Sequence, residues 1–248
     1  MLRLLTRIGP SGLRMSTICQ RLDLNKTTVI RLTLTLVDEG FVIRDAQSRR
    51  YRLGPEAFAV GLAAEPSFAL QRLAAPVLKA LAADTGDTVL FTVLHGYESI
   101  CLSRDEGDFP IRNQLIKPGD RWPLGVGAGS CAMLAAQTDT EIDEILLFSK
   151  MHRQLKFPMC TDKKVRTLVE QTRDLGYCLQ PGLVMADSWA IGVAICDDDG
   201  RPVASISIAA LKSRLGLARA AILGNRLIQE SHRIRLLAGA EGADNEAS

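Results

Sequence analysis

The chain has 248 residues, 47% of them hydrophobic and 23% charged, with 30 Lys+Arg against 28 Asp+Glu. That length allows one large or two small domains with real cores, and the hydrophobic share excludes a disordered chain. No run of about 18 apolar residues occurs, so no membrane span is expected. The opening MLRLLTRIGPSG is too short and too interrupted for a signal peptide, and a soluble, cytoplasmic product is expected.

Cys19, Cys101, Cys131, Cys160, Cys178 and Cys196 are scattered without a C-x-x-C pair, and His95, His152 and His232 lie far apart. Such cysteines read as buried thiols in a reducing compartment; a zinc site would have to be assembled from remote positions. No metal and no cofactor are expected.

Charge is unevenly placed. Residues 1–54 hold ten basic side chains (Arg3, Arg7, Arg14, Arg21, Lys26, Arg31, Arg44, Arg49, Arg50, Arg52) and four acids (Asp23, Asp38, Glu39, Asp45). The remainder holds 20 basic and 24 acidic residues. A basic module followed by a mildly acidic one points either to a polyanionic partner or to a basic solvated surface, and the placement of the charges has to decide.

In Met15–Leu22 the apolar residues Met15, Ile18, Cys19 and Leu22 repeat as on one face of a helix, after a turn at Ser11 and Gly12. Asp23-Leu24-Asn25 breaks it, with Asn25 a suitable N-cap for a second helix that starts at Lys26 and is capped by Gly40. Thr27, Thr28 and Arg31 share one face of that helix, while Val29, Leu32, Leu36 and Val37 can pack on the preceding one. Two helices joined this way, the second opening with hydroxyl and basic side chains, suit a helix-turn-helix entering a major groove. Phe41–Arg44 and Arg50–Gly54 then read as two short strands around a polar turn. Arg50 and Arg52 fall on one face, with Tyr51 and Leu53 on the other. Such a hairpin either lays a basic edge, including Arg49, along a phosphate backbone or simply covers the core.

The stretch ICQRLDLNKTTVIRLTLTLVDEGFVIRDAQSRRYRLG resembles the winged helix-turn-helix of the IclR family of bacterial transcription regulators. The matching positions are Lys26, Thr27, Thr28, Arg31, Leu32, Gly40, Phe41, Val42, Tyr51, Leu53 and Gly54, and the likeness continues through 72–136 and 176–215. The resemblance implies a DNA-binding domain over 1–54, a linker helix over 55–71 and a GAF-like effector-binding, oligomerising domain over 72–248. It also implies a longer first helix than Leu2–Ile8, so a start upstream of Met1 is expected.

Beyond the linker, Phe68–Ala83 is apolar at helical spacing but interrupted by Pro76, after Pro66 and Ser67. Strands are expected at 88–94, 99–103, 190–196 and 203–209, and helices at 130–136, 138–147, 163–175 and 219–237. Asp197–Gly200 is a hairpin turn. Strands mixed with helices argue an α+β domain. Arg104 and Arg112 lie in a segment that can meet an acidic ligand, though exposed loop arginines need no such role.

The most informative segment is GDRWPLGVGAGSCA, where Gly125, Gly127 and Gly129 precede an apolar helix beginning at Ser130. Free N–H groups at that helix start suit a carboxylate; three glycines also suit a purely structural turn. No acidic residue stands at dinucleotide-binding spacing. By resemblance this segment is a wall of an effector pocket, with Pro123 and Leu124 kept, Gly125 in place of a family His and Cys131 in place of a Lys. The carry-over gives Ala128 and Gly129 as backbone donors and Ala190 and Ser207 as pocket lining. Trp189 would be an adjacent wall or core, and Asp187 stands where Gly is usual. A small carboxylic acid or aromatic metabolite is the implied ligand.

An enzyme would need Cys131, at a helix start, with His95 or His152 as base, but no G-x-S-x-G or H-E-x-x-H surrounds them, and Cys131 reads better as core. The expected protein is a non-enzymatic regulator that binds double-stranded operator DNA and a small effector, as a dimer or dimer of dimers. A metabolite enzyme or a pure interaction module is the alternative.

Overall fold

The computed structural model describes residues 1–64, 69–111 and 115–246, with side chains described to residue 239. Pro66, Ser67, Phe68 and Arg112, singled out above, lie outside the described residues. The chain divides into two compact units, Met1–Ala69 and Leu70–Ser248.

The first unit runs α1 (Leu2–Ile8), α2 (Met15–Leu22), α3 (Lys26–Asp38), β1 (Val42–Arg44), β2 (Tyr51–Leu53) and α4 (Pro55–Ala64). Leu5, Leu13, Ile18, Val29 and Val42 form its core, one each from α1, the turn before α2, α2, α3 and β1. The turn between α2 and α3 holds Asp23 in the left-handed region, and the Asn25 side chain accepts the Thr28 N–H at 2.8 Å. Asn25→Ala removes that cap and should cost about 1 kcal/mol. Native-state hydrogen exchange at the first amides of α3 should then speed up about fivefold. Leu32 does not pack on α2 as the apolar pattern suggested: it is 44% exposed. Thr33 takes the inward position, its hydroxyl satisfied by donating to the Val29 carbonyl at 2.7 Å.

The second unit runs α5 (Ala69–Thr85), β3 (Thr88–His95), β4 (Glu98–Glu106), β5 (Arg121–Pro123), α6 (Ala128–Ala135), α7 (Asp139–Lys156), α8 (Asp162–Leu175), β6 (Cys178–Met185), β7 (Ser188–Cys196), β8 (Pro202–Leu211) and α9 (Leu217–Glu246). One antiparallel sheet orders its strands β5-β4-β3-β8-β7-β6. Strand alternation divides its two faces chemically. Val89, Phe91, Ile191, Val193, Ile206 and Ile208 point to a core closed by α5 and α9. Thr88, Thr92, Ala190, Gly192, Ser205 and Ser207 are the alternate residues, and they face α6.

Several boundaries differ from the sequence expectation. Pro76 lies inside α5 rather than breaking it, on the exposed side, where the carbonyl it frees can bond to water. The edge strands β5 and β6 escaped the reading because one is three residues long and the other carries Pro181 and Gly182. Helix α7 continues nine residues past the expected Leu147, because its last turns invert the usual pattern: Ser149 and Arg153 point inward and Phe148, Met151 and Leu155 outward.

Candidate functional site

In the first unit, Lys26, Thr27, Arg31, Arg49, Arg50 and Arg52 are exposed and Thr28 is half-buried. Thr27, Thr28 and Arg31 stand on the side of α3 away from Val29 and Thr33. The hairpin pairs Ile43 with Arg52 and Arg44 with Tyr51, and Arg44 lies over the Tyr51 ring at 5.9 Å. Its turn is rigid: Asp45 accepts the Ser48 N–H at 2.7 Å and the Ser48 hydroxyl at 2.6 Å, which hold its carboxyl below the usual range. Arg49 sits in the left-handed region (φ 54°). Arg50 donates to the Gly12 carbonyl at 3.1 Å, so it also ties the hairpin to the turn before α2. A groove of about 470 Å3 runs between α2 and the hairpin, lined by Arg14, Ser16, Arg44, Gln47 and Arg49. Arg14 and Gln47 were not singled out from sequence, because their proximity depends on how the hairpin folds back.

In the second unit, α6 is buried over its whole length, which its composition AGSCAMLA permits. Gly125 and Gly127 have φ of 89° and 87°, which favour glycine, while Gly129 is helical and needed for space: a Cβ there would lie 2.6 Å from the Ser205 hydroxyl. The glycines are thus explained by backbone shape and packing. What they leave open is the first turn of α6, whose N-cap is Gly127 with no side-chain cap.

That turn roofs a cavity of about 60 Å3. Gly127, Ala128, Gly129 and Ser130 line it, as do Ala190 and Ser207 from the sheet. Thr88, Leu90, Thr92, Ser99, Gln180 and Ser188 complete the floor, with Trp122, Val126, Leu115 and Ile116 as apolar walls. No Lys, Arg or His lines it among the described residues. Gln180 holds the loop: its Oε1 accepts the Gly127 N–H at 3.0 Å and its Nε2 donates to the Gly125 carbonyl at 3.4 Å.

Three expected lining residues are elsewhere. Leu124 is fully buried in a separate cluster with Met133 and Ile145. Trp189 points to the opposite face of the sheet, against the α5–α9 core, because Ala190 and Ser188 take the cavity side. Asp187 is exposed in the β6–β7 turn and meets Lys212 only through its backbone carbonyl.

Cys131 is fully buried, and its contact with Cys178, together with burial, pushes its thiol well up. Burial likewise raises Cys101 to about 12 and Cys160 to about 11. Thiols so raised are poor nucleophiles near neutrality. Among the described residues no group of three or more His, Cys, Asp or Glu is placed to hold a metal, and no helix is long and apolar enough to cross a membrane.

A helix-turn-helix with a basic hairpin, carried in one chain with a separate α+β domain, defines a DNA-binding transcription regulator. The family model for the bacterial transcriptional regulator IclR C-terminal domain matches residues 64–235, and that for the IclR helix-turn-helix domain matches residues 1–46. The chain belongs to the IclR family of bacterial transcriptional regulators, and it is a regulator, not an enzyme. It is 28% identical over 224 residues to the HTH-type transcriptional regulator BhcR of Paracoccus denitrificans, covering 90% of this chain and 80% of that one. Its fold matches the crystal structure of an IclR regulator from Alicyclobacillus acidocaldarius with a TM-score of 0.78, at 23% identity, over 95% and 94% of the two chains. An IclR homologue from Microbacterium hydrocarbonoxydans, crystallised with 4-hydroxybenzoate, has the same fold (TM-score 0.74, 19% identity, 91% and 90% coverage).

Proposed function

We propose that this chain is a cytoplasmic regulator that binds paired operator half-sites as a homo-oligomer and responds to a small organic acid bound under the first turn of α6. Lys26, Thr27, Thr28 and Arg31 enter the major groove, and Arg49, Arg50 and Arg52 lie along phosphates. The ligand changes the spacing of the two DNA-binding modules by favouring one arrangement of the oligomer.

The observation that carries the ligand assignment is the uncapped start of α6 over a floor of serine and threonine hydroxyls. The N–H groups of Ala128, Gly129 and Ser130, the helix dipole and the Ser207 hydroxyl would hold a carboxylate by neutral donors alone. Size selects among acids. At about 10–15 Å3 per water, a 60 Å3 cavity holds roughly five waters, which suits a short aliphatic acid. An aromatic acid is the second reading, favoured by the Trp122 wall and by the homologue holding 4-hydroxybenzoate; it needs the walls to part.

Trp122 lines the cavity and Trp189 does not, so a panel of acids is best scored by tryptophan fluorescence and melting temperature together. Short acids at 100 times their Kd should stabilise the protein by about 2.7 kcal/mol and shift the fluorescence. A full panel that moves neither signal would remove the ligand assignment. On the DNA side, Arg31→Ala should cost about 1–3 kcal/mol and relax specificity. Arg52→Ala should weaken every sequence alike and lower the salt slope by about one. Arg52 is the cleaner phosphate probe, since Arg50 also holds the hairpin in place. Band shifts in which neither variant changes affinity would overturn the groove and phosphate assignments.

A further inference from the structure

The groove between α2 and the hairpin carries charge of one sign. Arg14, Arg44 and Arg49 line it with Ser16 and Gln47, and no Asp or Glu does among the described residues. All three arginines are exposed and make no ion pair among the described residues. Arg44 is held at the wall by the Tyr51 ring. Asp45, the acid of the hairpin turn, does not offset them. Its carboxylate accepts from Ser48, and it opens on the neighbouring hollow with Arg50 and Arg52.

Two of these arginines stand where the local backbone favours another residue. Arg14 is the N-cap of α2, with extended dihedrals (φ −75°, ψ 153°) and no side-chain bond to the helix. Ser, Thr, Asp or Asn there would accept an N–H of the first turn, as Asn25 does for α3. Arg49, at φ 54°, holds a left-handed conformation that Gly or Asn adopts at less cost. Neither side chain makes a hydrogen bond among the described residues that would offset this. A local rule broken with no gain inside the fold marks a residue kept for a contact outside it.

We infer that this groove clamps a phosphodiester of the DNA backbone, with Arg14 on the α2 wall and Arg44 and Arg49 on the hairpin wall. Each guanidinium is a planar fork of donors that matches phosphate oxygens. Arg14 and Arg44 thereby join Arg49 among the phosphate contacts, and the first unit gives up stability to place Arg14 and Arg49. The clamp rests on the DNA-binding reading above, and the variants below separate its failure from the failure of that reading.

The test sets DNA binding against local stability in the full chain. Arg14→Ser restores a cap, so hydrogen exchange of the α2 amides should slow about fivefold. The same variant should bind duplexes selected from random DNA and unrelated duplexes more weakly alike, with the salt slope lower by about one. Arg49→Gly should exchange no faster than the parent in the hairpin and lose affinity in the same way. Arg44→Ala should also lower the slope by about one, whereas Arg3→Ser, which removes a charge from α1 outside the groove, should not. A role in folding alone would move protection and affinity together; the clamp requires opposite signs. It is overturned if Arg14→Ser and Arg44→Ala bind DNA as the parent does while Arg31→Ala and Arg52→Ala bind weakly. If those two are also unchanged, the DNA-binding reading falls with it. Equal loss of slope in Arg3→Ser overturns it too, since net charge alone then counts. So does inorganic phosphate, at constant ionic strength, slowing α2 exchange in the parent but not in Arg14→Ser while DNA affinity is the same in both, which marks a site for the free anion.

Discussion

Replacing Gly192 by valine is expected to cost the second unit about 3 kcal/mol or more and to take the roof off the cavity. Gly192 lies mid-strand on β7, paired with Ser207, on the face that meets α6. A Cβ there would stand 2.6 Å from the Gly129 nitrogen and 2.8 Å from its Cα, both backbone atoms that no rotamer change can withdraw. The first turn of α6 must therefore lift off the sheet, taking with it the N–H groups that roof the cavity. Both tryptophans of the chain, Trp122 and Trp189, belong to this unit, so denaturant unfolding followed by their fluorescence reports on it alone. Gly216→Ala, where a Cβ meets nothing within 4 Å, should leave the transition where it was. A valine variant within about 0.5 kcal/mol of the parent would refute the packing account.

Arg153→Leu should also be costly, about 1–3 kcal/mol in the same measurement. The guanidinium is 2% exposed and spans the end of α7, the loop that follows and the start of α8. Its Nε donates to the Ser149 hydroxyl at 3.0 Å, Nη1 to the Cys160 carbonyl at 2.9 Å, and Nη2 to the Leu146 carbonyl at 2.8 Å and to Asp162. Leucine fills part of the volume and leaves the buried Cys160 carbonyl without the Arg153 donor and α7 without its link to Asp162 at the start of α8. Lysine should rescue little, because a point charge cannot reproduce the planar fork. If the leucine variant is neutral, the carbonyls have found water, and the network contributes less than its geometry suggests.

The helix-turn-helix was legible in the sequence because its signals are local. Asn25 caps the helix it begins, Gly40 follows that helix with positive φ, and the two-residue alternation of the hairpin sets Arg52 outward and Leu53 inward. Only Leu32 misled, since an apolar repeat cannot tell which member of a pair three or four residues apart faces the neighbouring helix. The cavity was legible only in part. The Gly-rich loop marked its roof, and resemblance supplied Ala190 and Ser207, but the rest is drawn from β3, β4, β6, β7 and the 115–126 stretch.

Gln180 carried no sequence signal, because its role depends on β6 lying beneath a loop more than fifty residues earlier. Trp189 and Ala190 are neighbours in the chain and opposites in the sheet, and strand pairing alone settles which of them a ligand can meet. The amino-acid sequence by itself determined the helix-turn-helix, the charge division and the composition of α6, since each follows from residues within a few turns of one another. The tertiary structure decided which face of the sheet became core and which became cavity, and left the apolar side of α7 in water, because burial is a property of surfaces that meet across the fold.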